Sequence, residues 1–124
     1  MRGPAWTWGP AVLWAAALLF LGTRPADDLP DVDWYPGLDK AAHAALYALL
    51  GFLAQRAAGQ GTARGALLRG AAVGLCWGLV DEALQGTAAG RSPGAGDLAA
   101  DTIGAAAGAW IAFRTLRHRA RSEV

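Results

Sequence analysis

Uncharged apolar segments alternate with short clusters of charged residues along this chain of 124 residues. The first apolar segment, residues 3–23, has 21 residues rich in tryptophan, alanine and leucine, and it carries no charge. This length is close to the roughly 20 residues that a membrane-spanning helix needs. Apolar residues make up 54% of the chain and charged residues 17%, whereas about a quarter of the residues in soluble domains are charged. The pattern predicts a single all-α domain over residues 1–124, embedded in a membrane.

Prolines and glycines divide the chain into four predicted helices. Three prolines between residues 24 and 39 exclude a continuous helix there. Asp39, which follows Pro36 and Gly37, is the predicted N-cap of the second helix. Trp34 and Tyr35 are the predicted anchors at the membrane interface. The predicted helices cover about residues 5–22, 40–55, 67–85 and 98–115, and a basic tail covers about 114–124.

The first helix has a second interpretation. Arg2 followed by the apolar residues 11–21 would also suit a secretory signal peptide. However, Arg24 and Pro25 occupy the positions where a cleavage site needs small residues. We therefore expect a retained helix.

The basic residues predict the orientation of the helices. Both termini in the cytoplasm would place eight basic residues inside and three outside, in agreement with the positive-inside rule. The three outside would be Arg24, Lys40 and Arg91. The uncharged windows 70–80 and 102–113 have only 11 and 12 residues, so a soluble four-helix bundle is the alternative. The prediction is a bundle of four transmembrane helices with both termini cytoplasmic.

Three polar clusters that are distant in sequence reach the outer side in this topology. At about 100° per residue, the polar residues of the third helix share a face with glycines 70, 74 and 78. Those of the fourth share a face with Gly104 and Gly108. Small residues four apart let helices approach closely in lipid, so these faces should pack inward, with Cys76 facing lipid. The resulting candidate residues for a polar cavity are Asp39, Lys40, His43, Tyr47, Asp81, Glu82, Gln85, Arg91, Asp97 and Asp101.

Several of these charges are unfavourably placed on their own helices. Asp81 and Glu82 lie at a helix end where the dipole disfavours negative charge. We therefore expect Lys40 or Arg91 to pair with them. Asp97 and Asp101 could be explained as helix-start residues alone, and His43 and Tyr47 as packing residues.

The polar residues occur in a pattern that resembles the VanZ-like family of small bacterial membrane proteins. The matching pieces, over about residues 38–108, are Asp39-Lys40-x-x-His43-x-x-x-Tyr47, Glu82-x-x-Gln85, Gly90-Arg91-Ser92 and Asp97-x-x-x-Asp101-x-x-Gly104-x-x-x-Gly108. Family members often have Asn where this chain has Asp101. The resemblance implies a multi-pass protein of the bacterial cytoplasmic membrane. The founding member is associated with resistance to the lipoglycopeptide antibiotic teicoplanin.

Three functions are compatible with these residues. The leading hypothesis is a cell-envelope protein whose outer polar cavity binds a lipid-linked envelope component or a lipoglycopeptide, with Lys40 and Arg91 contacting an anionic group. An intramembrane hydrolase or transferase could instead hold a metal ion through His43, Glu82 and the two later aspartates. The third is a small proton-coupled carrier. The near-neutral balance of +1 argues against nucleic acid. We expect no organic cofactor, and a membrane lipid or a second copy of the chain as partner.

Overall fold

A computed structural model describes residues 5–31, 34–87 and 94–124. These residues form α-helices and two short 3-10 helices, Ala5–Trp8 and Ala26–Asp28, without a β-strand. The prediction of an all-α chain with four principal helices is therefore confirmed. The four α-helices are α1 (Gly9–Gly22), α2 (Leu38–Ala58), α3 (Ala63–Gln85) and α4 (Ala95–Ser122).

The N-terminus of α2 differs from the prediction. Gly37 is the N-cap and has a φ of 81°, a left-handed conformation that glycine adopts without steric cost. The helix begins at Leu38, so Asp39 lies within the first turn and is not the cap. From the first turn, its carboxylate accepts a hydrogen bond from the Lys40 side chain.

Two other helices are longer than predicted. Thr62 caps α3, because its hydroxyl oxygen accepts a hydrogen bond from the Gly65 amide at 2.9 Å. The helix therefore begins at Ala63 and not near residue 67. At the other end of the chain, α4 continues through the basic tail to Ser122. Arginine is a good helix former, and Arg119 and Arg121 in the last turn complement the helix dipole.

Glycines allow α4 to pack against both α2 and α3. A Cβ added at Gly104 would overlap the backbone carbonyl of Ala44 on α2. A Cβ at Gly74 would lie 2.7 Å from the carbonyl oxygen of Asp101 on α4. The helix backbones are therefore in direct contact, as small residues at these spacings predict. Cys76 is exposed, which agrees with the predicted assignment of the faces.

Two tryptophans attach α1 to the other helices. Trp14 Nε1 donates to the carbonyl oxygen of Leu46 on α2 at 2.9 Å. Trp77 Nε1 on α3 donates to the carbonyl oxygen of Ala15 at 3.1 Å. Leu18 of α1 also joins a buried core cluster with Tyr47 and Leu50. The first helix is thus packed as a structural member of the bundle.

The outer faces of the helices are apolar, whereas the interior contains polar groups. Leu13 on α1, Leu79 on α3 and Ile103 on α4 are at least half exposed. The buried side chains include four polar or charged ones, Gln55, Asp81, Gln85 and Asp101. Soluble domains usually bury apolar side chains and expose polar ones. This bundle instead exposes a large apolar surface around buried polar residues.

One helix among the described residues has the length and apolarity typical of a membrane span. This helix is α3, with 23 residues, and 22% of its most apolar window is buried within the bundle. A core helix of a soluble protein would be mostly buried. The helix α1 is also apolar but has 14 residues. Length and composition thus identify one candidate span.

Candidate functional site

Lys40 joins α2 to α4 at the exposed end of the bundle. Its Nζ atom lies 2.7 Å from Asp39 Oδ2 and 2.7 Å from Asp97 Oδ1, and its side chain is 47% exposed. These hydrogen bonds, first that to Asp39 and then that to Asp97, raise the pKa of Lys40 above its usual range. Lys40 in turn lowers the pKa of Asp39. Because two carboxylates already share this ammonium group, Lys40 is not the partner of Asp81 and Glu82, and the alternative partner, Arg91, lies outside the described residues.

His43 lies one turn further along α2 and contacts the two aspartates of α4. Its Nδ1 is 2.8 Å from Asp101 Oδ1, within hydrogen-bond distance, and it is the donor when the carboxyl group is ionised. Its Nε2 is 3.9 Å from Asp97 Oδ1. Asp97 lies in the first turn of α4, where a carboxylate suits the dipole. Asp101 lies well inside the helix and is buried, so helix capping does not explain it.

Asp81 is the deepest carboxylate of the site. Tyr47 Oη donates to its Oδ2 at 3.2 Å, and Gln85 Nε2 donates to the same oxygen at 3.1 Å. The other oxygen, Oδ1, is buried and has no hydrogen-bond partner among the described residues. It lies so close to Gly22 of α1 that a Cβ there would overlap it. Sequence reasoning missed Gly22, whose only signal was a glycine at the end of an apolar helix.

These contacts form two adjacent networks, together named the polar chain, which lead from the surface to the interior. The polar chain consists of Asp39, Lys40, Asp97, His43, Asp101, Tyr47, Asp81 and Gln85. Its two halves adjoin because His43 and Tyr47 are one turn apart on α2. It contains four carboxyl groups against Lys40 and His43. This balance favours ligands that donate hydrogen bonds or carry positive charge, and not the anionic group first expected at Lys40.

Among the described residues, one predicted site residue, Glu82, does not join the polar chain. Arg91 falls within residues 88–93, outside the described residues, and so does its predicted pairing with Glu82. With respect to the part of the chain that is described, the Glu82 side chain makes no hydrogen bond or ion pair. Glu82 is half-buried next to Asp81 in sequence. Only the side chain of Asp81 belongs to the polar chain.

The arrangement expected for a metal-assisted enzyme is not formed by the described residues. Within residues 5–31, 34–87 and 94–124, no three His, Cys, Asp or Glu side chains are grouped so that they could hold a metal ion. His43 lies near Asp97 and Asp101. However, Asp101 Oδ1 contacts the imidazole of His43, and Asp97 Oδ1 accepts a hydrogen bond from Lys40. The observed geometry is that of a hydrogen-bonded acid–base chain.

A second buried polar contact lies near the opposite end of α2. Arg69 Nη1 donates to Gln55 Oε1, and Gln55 Nε2 donates to the carbonyl oxygen of Gly59 at 2.8 Å. The glutamine thereby satisfies a backbone carbonyl just beyond the end of α2. Sequence reasoning placed Arg69 at the cytoplasmic interface and missed this partner, since the two residues are on different helices.

Comparisons with known proteins find no match for this chain. No family model matches it. The search of curated proteins and the search of solved structures are equally without a match.

Proposed function

We propose that this protein is a VanZ-like, multi-pass protein of the bacterial cytoplasmic membrane that binds the polar head group of a lipid-linked envelope component. The observation that supports this most directly is the polar chain itself. It opens at the exposed Lys40 and continues into a bundle whose outward faces are apolar. Such a bundle offers lipid contact outside and polar recognition inside.

The lengths of the helices support the four-span topology. At 1.5 Å per residue, α2, α3 and α4 extend for about 32, 35 and 42 Å, which is enough to cross a hydrocarbon layer of roughly 30 Å. The shorter α1 is preceded by the 3-10 helix Ala5–Trp8. In this topology the polar chain faces outward, and the arginines that flank the α2–α3 turn and those at the end of α4 face the cytoplasm.

The chemistry of the opening supports a head group rich in hydroxyl or amino groups. Asp39 and Asp97 offer carboxylate oxygens as acceptors, and Lys40 remains a donor. Trp34 and Tyr35 are exposed beside the start of α2, with ring centroids 6.1 Å apart. These rings can cover an apolar part of the ligand at the membrane interface. The lipid tail would then lie along the apolar outer faces of the helices.

Proton-coupled transport is a second candidate, favoured by one observation. Acids and bases alternate from Lys40 to Asp81, and one oxygen of Asp81 has no hydrogen-bond partner among the described residues. Buried carboxylates and histidines of this kind form proton relays in membrane proteins. Purified protein that retains no lipid at the polar chain but moves protons into proteoliposomes would favour this candidate.

The topology can be tested with two cysteines in a Cys76→Ala background. Thr87 and Gly61 are exposed at opposite ends of α3. On intact cells, a membrane-impermeant thiol reagent should modify Thr87→Cys but should modify Gly61→Cys only after lysis. The parent without cysteine is the control. The reverse labelling pattern, or equal labelling of both sites before lysis, would contradict the proposed orientation.

The ligand can be tested by identifying lipids that copurify with the protein in mild detergent. Wild-type protein should retain a lipid with a hydroxyl- or amine-bearing head group. Lys40→Gln should lose most of it, because the Asp39 and Asp97 carboxylates would repel each other without the shared ammonium group. Arg56→Gln is the matched control, since it makes the same change at the other end of α2. Equal lipid recovery from all three proteins would contradict binding at the polar chain.

A further inference from the structure

A cleft lies at the end of the bundle away from the polar chain. It encloses about 230 Å³ between the start of α3 and the C-terminal part of α4. A smaller cavity of about 140 Å³ beside the α2–α3 turn shares Phe113 and Arg117 with it. Arg117 is 20 residues from Asp97 on α4, or about 30 Å along the helix axis. The cleft is therefore independent of the polar chain.

The charged side chains that line the cleft are all basic. They are Arg114, Arg117 and Arg121, with His118 beside them, and no carboxylate of the described residues lines either cavity. No ion pair joins these arginines to a carboxylate of the described residues. Several guanidinium groups facing one cleft without a counter-charge repel each other, and an anion placed between them would remove that repulsion.

An aromatic wall adjoins these basic groups. Trp110 and Phe113 line the cleft, and the Arg114 guanidinium lies 5.3 Å from the centroid of the Trp110 ring. The uncharged stretch of α4 ends at Phe113, and the basic stretch begins with the next residue. A free inorganic anion would leave the aromatic wall unused. A phosphate attached to an acyl chain would contact both parts of the cleft.

We propose that this cleft binds the phosphate of an anionic phospholipid in the cytoplasmic leaflet. This inference rests on the membrane location in the proposed function, but it does not depend on the ligand of the polar chain. Arg117, which lines both cavities, would contact the phosphate, while Arg114 stays stacked on Trp110. The acyl chain would continue from Phe113 along the uncharged part of α4.

Native mass spectrometry of the full chain in detergent tests this binding with two defined lipids. Phosphatidylglycerol, which has a net negative head group, should bind at least about fivefold more tightly than zwitterionic phosphatidylcholine. Arg117→Gln should reduce phosphatidylglycerol binding by about fivefold, the effect expected for one arginine at an anionic surface. Arg119→Gln is the matched control, because it removes the same charge from an exposed residue of α4 that does not line the cleft.

The outcomes separate this inference from others. Equal binding of both lipids, or equal losses in Arg117→Gln and Arg119→Gln, would overturn it. Displacement of phosphatidylglycerol by millimolar inorganic phosphate would also overturn it, in favour of a free-anion site. Circular dichroism should show the same helix content in both variants, since both arginines are exposed. Arginine-dependent phosphatidylglycerol binding, combined with equal lipid recovery from wild-type, Lys40→Gln and Arg56→Gln protein, would overturn the ligand of the proposed function alone. Equal binding of both lipids in a protein with the proposed topology would overturn only this inference.

Discussion

Replacing Gly104 with leucine should strongly destabilise the bundle, whereas leucine at Cys76 should leave its stability nearly unchanged. The Cβ atom of any side chain at position 104 would already overlap the backbone of Ala44. A backbone cannot move aside as a flexible side chain can. Overpacking in well-packed interiors costs about 1–3 kcal/mol and sometimes more, and here α2 and α4 must separate along their contact. We expect a loss of about 3 kcal/mol or more, a large part of the 5–15 kcal/mol typical of folded domains.

The control for Gly104→Leu lies on the same helix. Ala107 is exposed on α4, so Ala107→Leu adds a large apolar side chain without entering a helix contact. Gly74→Leu should resemble Gly104→Leu, because its Cβ would meet α4. The measurement is the folded fraction of detergent-extracted protein after thermal challenge, followed by size-exclusion chromatography. Similar losses for Gly104→Leu and Ala107→Leu would contradict the close-packed α2–α4 contact.

His43→Gln should destabilise the protein by about 3–5 kcal/mol, the usual cost of removing one partner from a buried ion pair. The Asp101 side chain is 4% exposed, and His43 Nδ1 at 2.8 Å is its hydrogen-bond donor. Glutamine can supply at most a neutral donor, so the carboxylate would remain buried without a compensating charge. The measurement is the free energy of unfolding in detergent, compared with that of wild-type protein.

The double variant His43→Gln with Asp101→Asn should recover most of the lost stability. Neither residue then carries a charge, and two amides can still form a hydrogen bond. A double-mutant cycle isolates this coupling. If the pair contributes to recognition, the double variant should bind less of the lipid described above than wild-type protein does, even though its stability is recovered. A His43→Gln protein of normal stability would mean that no ionised pair exists between these side chains.

Sequence periodicity was sufficient to predict which faces of the helices meet. Gly74 and Gly104 each belong to a series of glycines spaced four residues apart. Both lie where the backbones of neighbouring helices are in contact. Cys76, two residues away from Gly74, faces outward. An α-helix has a fixed period of about 3.6 residues per turn, so the position of a residue on the helix circumference follows from its sequence number. The all-α fold and the inward faces could therefore be predicted.

The gathering of polar residues could also be predicted, but their pairing could not. Asp97, Asp101 and His43 come together as the faces of α2 and α4 required. Lys40, however, bonds to Asp39 and Asp97, and Asp81 bonds to Tyr47. Which of several charges meet depends on how far one helix slides along the next, and a shift of one turn, about 5.4 Å, changes every partner.

The sequence by itself determined the helical class, the inward faces and the set of polar residues, because these depend on local composition and a fixed helical period. Only the tertiary structure decided that Gly22 of α1 covers the unpartnered oxygen of Asp81 and that Arg69 bonds to Gln55. These contacts join different helices and depend on the axial register and tilt of each helix. Packing of the whole bundle sets that register, since any single pair of faces can fit at several offsets.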